Sequence, residues 1–201
     1  MREKENIRNL VIVGSWNNLL FTAKWLNDNI YDGKLEPNIQ MEIIISGNSI
    51  QQRVFHLPNY KLEISQARLC FILKKIDQEH FDILFEDITK LLTKLQHTPI
   101  QKMGINLVFN EDIEKPFENE LNFYQLDNMV EANEIITVNK KNCILRLSIN
   151  RAPNFVEFDF NYSYKVKDVA QLKSFLEVGL YSHLEKESSL VIKKIMEKFN
   201  A

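Results

Sequence analysis

Glu157 and Asp159 stand two residues apart in the stretch FVEFDFNYSYK. In an extended strand that spacing puts both carboxylates on one face, about 7 Å apart. Paired carboxylates carry acid–base and glycosidic chemistry, and retaining glycosidases hold theirs about 5–5.5 Å apart. Phe158, Phe160, Tyr162 and Tyr164 occupy the alternate positions, so the acidic pair is equally the wet side of a half-buried strand, and that reading is preferred. The four histidines, His56, His80, His97 and His183, form no HxH or HExxH pattern and no Cys/His ligand spacing, so they are expected at the surface or its boundary. His97 is read as a last-turn helix residue, where a positive charge complements the helix dipole. Gly14-Ser15-Trp16 follows a strand as a phosphate loop would, yet the 5 glycines form neither GxGxxG nor GxxxxGK, and a plain turn is expected. Ser15, Ser46, Ser65 and Ser148 lie in no GxSxG elbow. No residue is therefore assigned a catalytic, cofactor-binding or metal-ligating role, no cofactor is implied, and the chain leans away from being an enzyme.

The bulk numbers agree with an ordinary globular chain. Its 201 residues are 45% hydrophobic and 26% charged, with 25 Lys plus Arg against 27 Asp plus Glu, a formal net charge of −2 and a pI near 6.1. Such a chain lacks the electrostatic term that drives nonspecific nucleic-acid binding, so nucleic acid is not an expected partner. Cys70 and Cys143 are far apart in strand-like text and read as small buried apolar residues. The opening MREKENIRNL has charges but no apolar core or small-residue cleavage site, and runs such as Ile43-Ile44-Ile45 are far too short to span a bilayer. A cytoplasmic location without membrane attachment, and without disulfides, is expected.

The elements that must position any site follow from periodicity. Leu10–Val13 is a buried strand, Phe21–Tyr31 a short helix capped by Thr22 and stopped at Asp32-Gly33, and Met41–Ser46 and Gln51–Leu57 pair across Gly47-Asn48. Tyr60–Ser65 alternates as a strand with one wet face, and Arg68–Lys74 continues in strand-rich residues. Asp77 caps the clearest helix, whose stripe is Phe81, Leu84, Phe85, Ile88, Leu91, Leu92 and Leu95; Asp82, Glu86, Asp87, Lys90 and Lys94 take the other faces. Pro99 stops it, and Met103, Ile105, Leu107 and Phe109 begin a new alternation around Gly104, a glycine read as a bulge or as room for a close neighbour. Residues 111–133 read as a long acidic surface excursion. A meander follows, 134–138, 143–149 and 155–166, and then a capping-box start at Asp168 and Gln171 opens the final helical stretch, whose polar interruption at Glu185–Ser189 makes it either one long helix with a kink or two helices in series. Trp16 and Trp25 are read as core residues, with a binding role as the alternative.

YKLEISQARLCFILKK, DQEHFDILFEDITKLLTKLQ and TPIQKMGINLVFN, taken in order over residues 60–110, resemble a sporadically distributed bacterial family of uncharacterised proteins. Its members show a strand, a helix, Pro-Ile and a glycine-containing strand, matched here by Pro99-Ile100 and Gly104-Ile105. The resemblance covers about a quarter of the chain; the family's Tyr after the glycine strand is replaced by Leu107-Val108-Phe109. It implies a bacterial protein from a patchily inherited system, where accessory and defence components are common, and transfers no catalytic residue.

The expected fold is α+β: a largely antiparallel sheet with amphipathic helices on one face, built as a single domain over 1–201 in two strand-then-helix halves, 1–99 and 100–201. The expected function is non-enzymatic, binding another protein or a second copy of itself as an accessory subunit. The alternative is an enzyme or small-molecule binder whose site assembles from separated residues.

Overall fold

Leu10, Ile12 and Gly14 are buried and alternate with partly exposed Val11 and Val13, and this short strand sits at the centre of the molecule. The structure is a computed structural model. It describes all residues except 1, 4–6, 8, 37–38, 48, 113–131, 141–142, 152–154, 177–178 and 200–201, and the side chains of all described residues except 2–3, 132–134 and 198–199. In chain order the described elements are β1 (Arg2–Glu3), β2 (Leu10–Gly14), α1 (Ala23–Asn29), β3 (Met41–Ser46), β4 (Ser49–His56), β5 (Tyr60–Ser65), β6 (Arg68–Leu73), α2 (Gln78–Lys94), β7 (Ile100–Asp112), β8 (Ala132–Asn139), β9 (Ile144–Arg151), β10 (Phe155–Lys165), α3 (Val169–Phe175) and α4 (Leu180–Phe199).

The strands form one antiparallel sheet in the order β3-β4-β5-β6-β2-β7-β10-β9-β8, with β1 added against β7. The fold is therefore α+β, as the periodicity predicts. Each meander brings its last strand back beside an earlier one, β6 beside β2 and β10 beside β7, and the two groups meet where β2 pairs with β7. One row of side chains crosses the whole path: Met41, Phe55, Leu62, Phe71, Leu10, Ile105, Tyr162, Leu145 and Val138. The helices cover this face. The seven central members of the row are buried, whereas the two end members are exposed because the sheet is wider than its helical roof.

Local chemistry explains where the helices begin. Thr22 Oγ1 accepts from the Trp25 amide at 3.0 Å, Asp77 Oδ1 from His80 N at 2.9 Å, and Asp168 Oδ1 from Gln171 N at 2.8 Å. Gln171 Oε1 reciprocates by accepting from Lys167 N at 2.7 Å. Each such cap contributes about 1 kcal/mol. The chain then turns away after α1 through Asp32 and Gly33, both left-handed, with φ of 51° and 79°.

Several expectations are corrected. Gly104 is neither a bulge nor a close approach: it pairs in register with Val11 and Ser163, and a Cβ there would meet open space. The tight position is Gly14, where the β2–β7 register shifts and a Cβ would lie 2.5 Å from the Pro99 carbonyl oxygen. That carbonyl accepts from Ser15 N at 2.9 Å, so the helix-to-strand join at Pro99 is held by the end of β2. His97 lies beyond α2, which ends at Lys94, and is exposed. Glu63 is buried rather than on a wet face, because it sits mid-sheet between Val54 and Cys70 and bonds Lys61 at 3.1 Å. The C-terminal helical stretch is two helices in series, α3 and α4, with Gly179 (φ 84°) just before α4, and Glu185–Ser189 lies within α4 rather than between the two. Of the expected 111–133 excursion, Glu111 and Asp112 extend β7 and Ala132–Asn133 begin β8; the rest falls outside the described residues.

Candidate functional site

The residues singled out by type do not converge. Glu157 lies on the helix-free face of β10 and accepts from Asn150 Nδ2 at 3.1 Å, a cross-strand tie with Asp159 two positions along. His56 pairs with Glu42 at 2.6 Å on the β3–β4 hairpin, His80 with its own helix cap Asp77 at 2.7 Å, and His97 and His183 are exposed elsewhere. Among the described residues no group of three His, Cys, Asp or Glu is placed to hold a metal ion. Cys70 is buried, Cys143 half-buried, and neither is in a disulfide. Trp16 is buried, and Trp25 is half-buried with its ring 5.3 Å from that of Phe21, edge to face, so both serve packing.

Sequence reasoning missed two polar clusters beneath the helices. In the first, the Tyr31 hydroxyl donates to Tyr60 Oη at 3.0 Å, and the Tyr60 hydroxyl donates to Asp87 Oδ2 at 3.1 Å. Asp87 was expected on an outer face of α2, but it is buried. The signal was present: Leu84, Asp87 and Leu91 are spaced three and four apart, which puts the carboxyl on the edge of the apolar stripe. Burial pushes the Asp87 carboxyl up, and the Tyr60 hydrogen bond only partly offsets this. Burial, then the charges of Tyr31 and Asp87, hold the Tyr60 phenol well above its ordinary range.

In the second cluster, the Tyr162 hydroxyl pairs with Ser188 Oγ at 2.8 Å, and Lys140 stands 5.3 Å from the Tyr162 ring centre while ion-paired with Glu187. Cys143 adjoins it, and burial pushes its thiol up, which leaves it protonated at neutral pH and poorly nucleophilic. Burial likewise raises Tyr162 and Tyr164. The first cluster joins two tyrosine hydroxyls to the Asp87 carboxyl and the second joins a hydroxyl pair to an ion pair, and they tie α2 and α4 to the sheet. The groove along α2, of about 730 Å³, is wide open, and Gln78 in it is committed to Asp82 and to Ser182 of α4.

The feature without an internal use is the sheet edge at β3. All six of its residues are exposed, including Met41 at 40%, Ile43 at 42%, Ile44 at 49% and Ile45 at 63%. Asn18 Nδ2 donates to the Ile50 carbonyl at 3.0 Å, which brings exposed Leu19 to the same end of the hairpin. Edge strands ordinarily carry Lys, Pro or inward charges that block pairing with another chain. β3 has one charge, Glu42, and one irregularity, the register shift between Ile44 and Ile45. At the opposite edge β8 also exposes Ile135, Ile136 and Val138. No family model matches this chain, and no curated protein matches it. Among the described residues no helix is long and apolar enough to cross a membrane.

Proposed function

We propose that this chain acts by binding protein rather than by catalysis, as an accessory subunit of a bacterial multi-component system, and that it binds through the β3 edge. One observation carries the reading: a six-residue strand, exposed at every position and holding three consecutive isoleucines, forms an open edge of a sheet whose central apolar rows are covered. Contiguous exposed apolar surface on a folded protein marks interaction sites, and an open edge supplies backbone donors and acceptors for strand addition. The alternating aromatic residues Phe158, Phe160, Tyr162 and Tyr164 of β10 do not contribute, since they are buried.

The test is a paired capture from the native host with the wild-type chain and an Ile43→Lys, Ile45→Lys variant. These side chains are exposed, so the variant is expected to keep the wild-type melting temperature while losing every specific partner, its own copies included. Partners retained equally by both chains, or no association of either kind, would remove the reading.

A further inference from the structure

We infer that the β3 edge pairs with the β3 edge of a second copy, antiparallel, about a two-fold axis through Ile43. The inference rests on the reading of β3 as a binding edge and names its occupant.

Hydrogen bonding fixes which residues are available. His56 N donates to Gln40 O at 3.0 Å, and Met41 lies opposite Phe55, so residues 40, 42 and 44 turn their backbone groups toward β4. In an antiparallel ladder the alternate residues then point theirs outward, here Met41 and Ile43, with Ile45 beyond the shift. A second strand must present outward residues to these. Every residue-centred self-pairing satisfies that rule, and those centred on Ile43 and Ile44 pair the most of β3, five residues each, against three for Glu42 or Ile45 and one for Met41 or Ser46. Centring on Glu42 puts two carboxylates directly opposite, which is repulsive. Centring on Ile44 places the register shift at the axis. Centring on Ile43 sets Ile43 against its copy, Met41 against Ile45, and Glu42 against Ile44, so no like charges meet. The lone charge of the strand thus disfavours one register without blocking pairing, and the extent of pairing and the position of the shift leave the Ile43 centre.

The side chains agree. Met41 and Ile43 share the helix-covered face with Phe55 and Ile64, and a two-fold normal to the sheet keeps both helical layers on that side. The exposed ends of the apolar rows, Met41 and Ile43, then meet apolar neighbours from the second copy. The contact is isologous and closes at two copies. Pairing β3 with the exposed β8 edge of the next copy would instead be head-to-tail and grow without limit.

Sedimentation equilibrium of the purified full chain, from about 1 to about 500 µM, reads the outcome, since a one-strand interface gives modest affinity. Wild type is expected to approach twice the chain mass and stop. Ile43→Lys and Ile43→Glu, each placing like charges at the axis, are expected to be monomers with unchanged melting temperatures. Mixed in equal amounts, they are expected to form dimers again, because position 43 faces itself. A monomeric wild type at all concentrations, growth past two copies, or failure of the mixture to restore dimers overturns the inference. A monomeric wild type whose captured partners still depend on Ile43 and Ile45 would overturn only the identity of the occupant, leaving β3 as the binding edge.

Discussion

Replacing Tyr60 by Phe removes one hydroxyl and keeps the ring, which packs edge to face with Phe71 at 5.7 Å between centres. The hydroxyl accepts from Tyr31 and donates to Asp87, both under α2. A hydrogen bond to a charged acceptor contributes about 1.5–3 kcal/mol and a neutral one about 1 kcal/mol, so the gross loss is about 2.5–4 kcal/mol. Tyr31 itself lies close enough to Asp87 to hydrogen-bond it and recovers part of this. The expected net destabilisation at pH 7 is about 2 kcal/mol, or about 4–8 °C in Tm for a chain of this size. The pH dependence is the sharper readout. Asp87 is raised in the folded state by burial, so its contribution is fully present below the ordinary carboxyl pKa, about 3.9, and is lost as pH rises through the folded value. Tyr60→Phe takes away a hydrogen bond that favours the carboxylate, raises Asp87 further and deepens that loss. The gap between wild type and variant should widen from about 1 kcal/mol near pH 4 to about 2 kcal/mol at pH 7. Urea unfolding across that range measures it, with Asp87→Asn as the background in which the pH dependence of the gap vanishes. A gap that stays below about 0.5 kcal/mol, or that does not change with pH, would refute the assignment of this cluster as a buried structural anchor.

The two glycines of the central strands should respond oppositely. Gly14→Ala drives a methyl against the Pro99 carbonyl and should cost about 1–3 kcal/mol, whereas Gly104→Ala enters open space and should be neutral or stabilising by up to about 1 kcal/mol, both read by urea midpoint. Asp77→Ala removes the α2 cap and should cost about 1 kcal/mol at pH 7. Partial burial pushes the Asp77 carboxyl up, but hydrogen bonds from Lys75 and His80 outweigh this and hold it below the usual range, so its contribution is present at neutral pH and lost as pH falls through that lowered value. Wild type and Asp77→Ala should therefore converge in acid-titrated unfolding. Tyr162→Phe should cost about 1–2 kcal/mol in thermal unfolding by stranding buried Ser188, and adding Ser188→Ala should return part of it.

How much of this molecule could be read from its residues depended on the range of the interaction involved. The caps at Thr22, Asp77 and Asp168 were legible because a capping side chain bonds an amide three residues away. The strands of the meanders and the aromatic face of β10 were legible because alternation at period two is a local property. The burial of Glu63 was not, since it depends on the strands that flank it, and that of Asp87 was signalled only by its place at the edge of the α2 stripe, while its partner Tyr60 comes from a different element. Nor could the two glycines be told apart by type: only the β2–β7 register and the position of the Pro99 carbonyl make Gly14 the crowded one.

The sequence by itself determined that amphipathic helices and half-wet strands follow one another and that its histidines, serines and glycines form none of the familiar ligand, nucleophile or phosphate-loop motifs, because periodicity and motif spacing are written along the chain. Strand order was decided only in three dimensions, by which strands could pair while burying their apolar rows under four helices. That ordering left Ile43-Ile44-Ile45 at an edge, where the helical roof has run out, and turned an ordinary apolar triplet into the proposed binding surface.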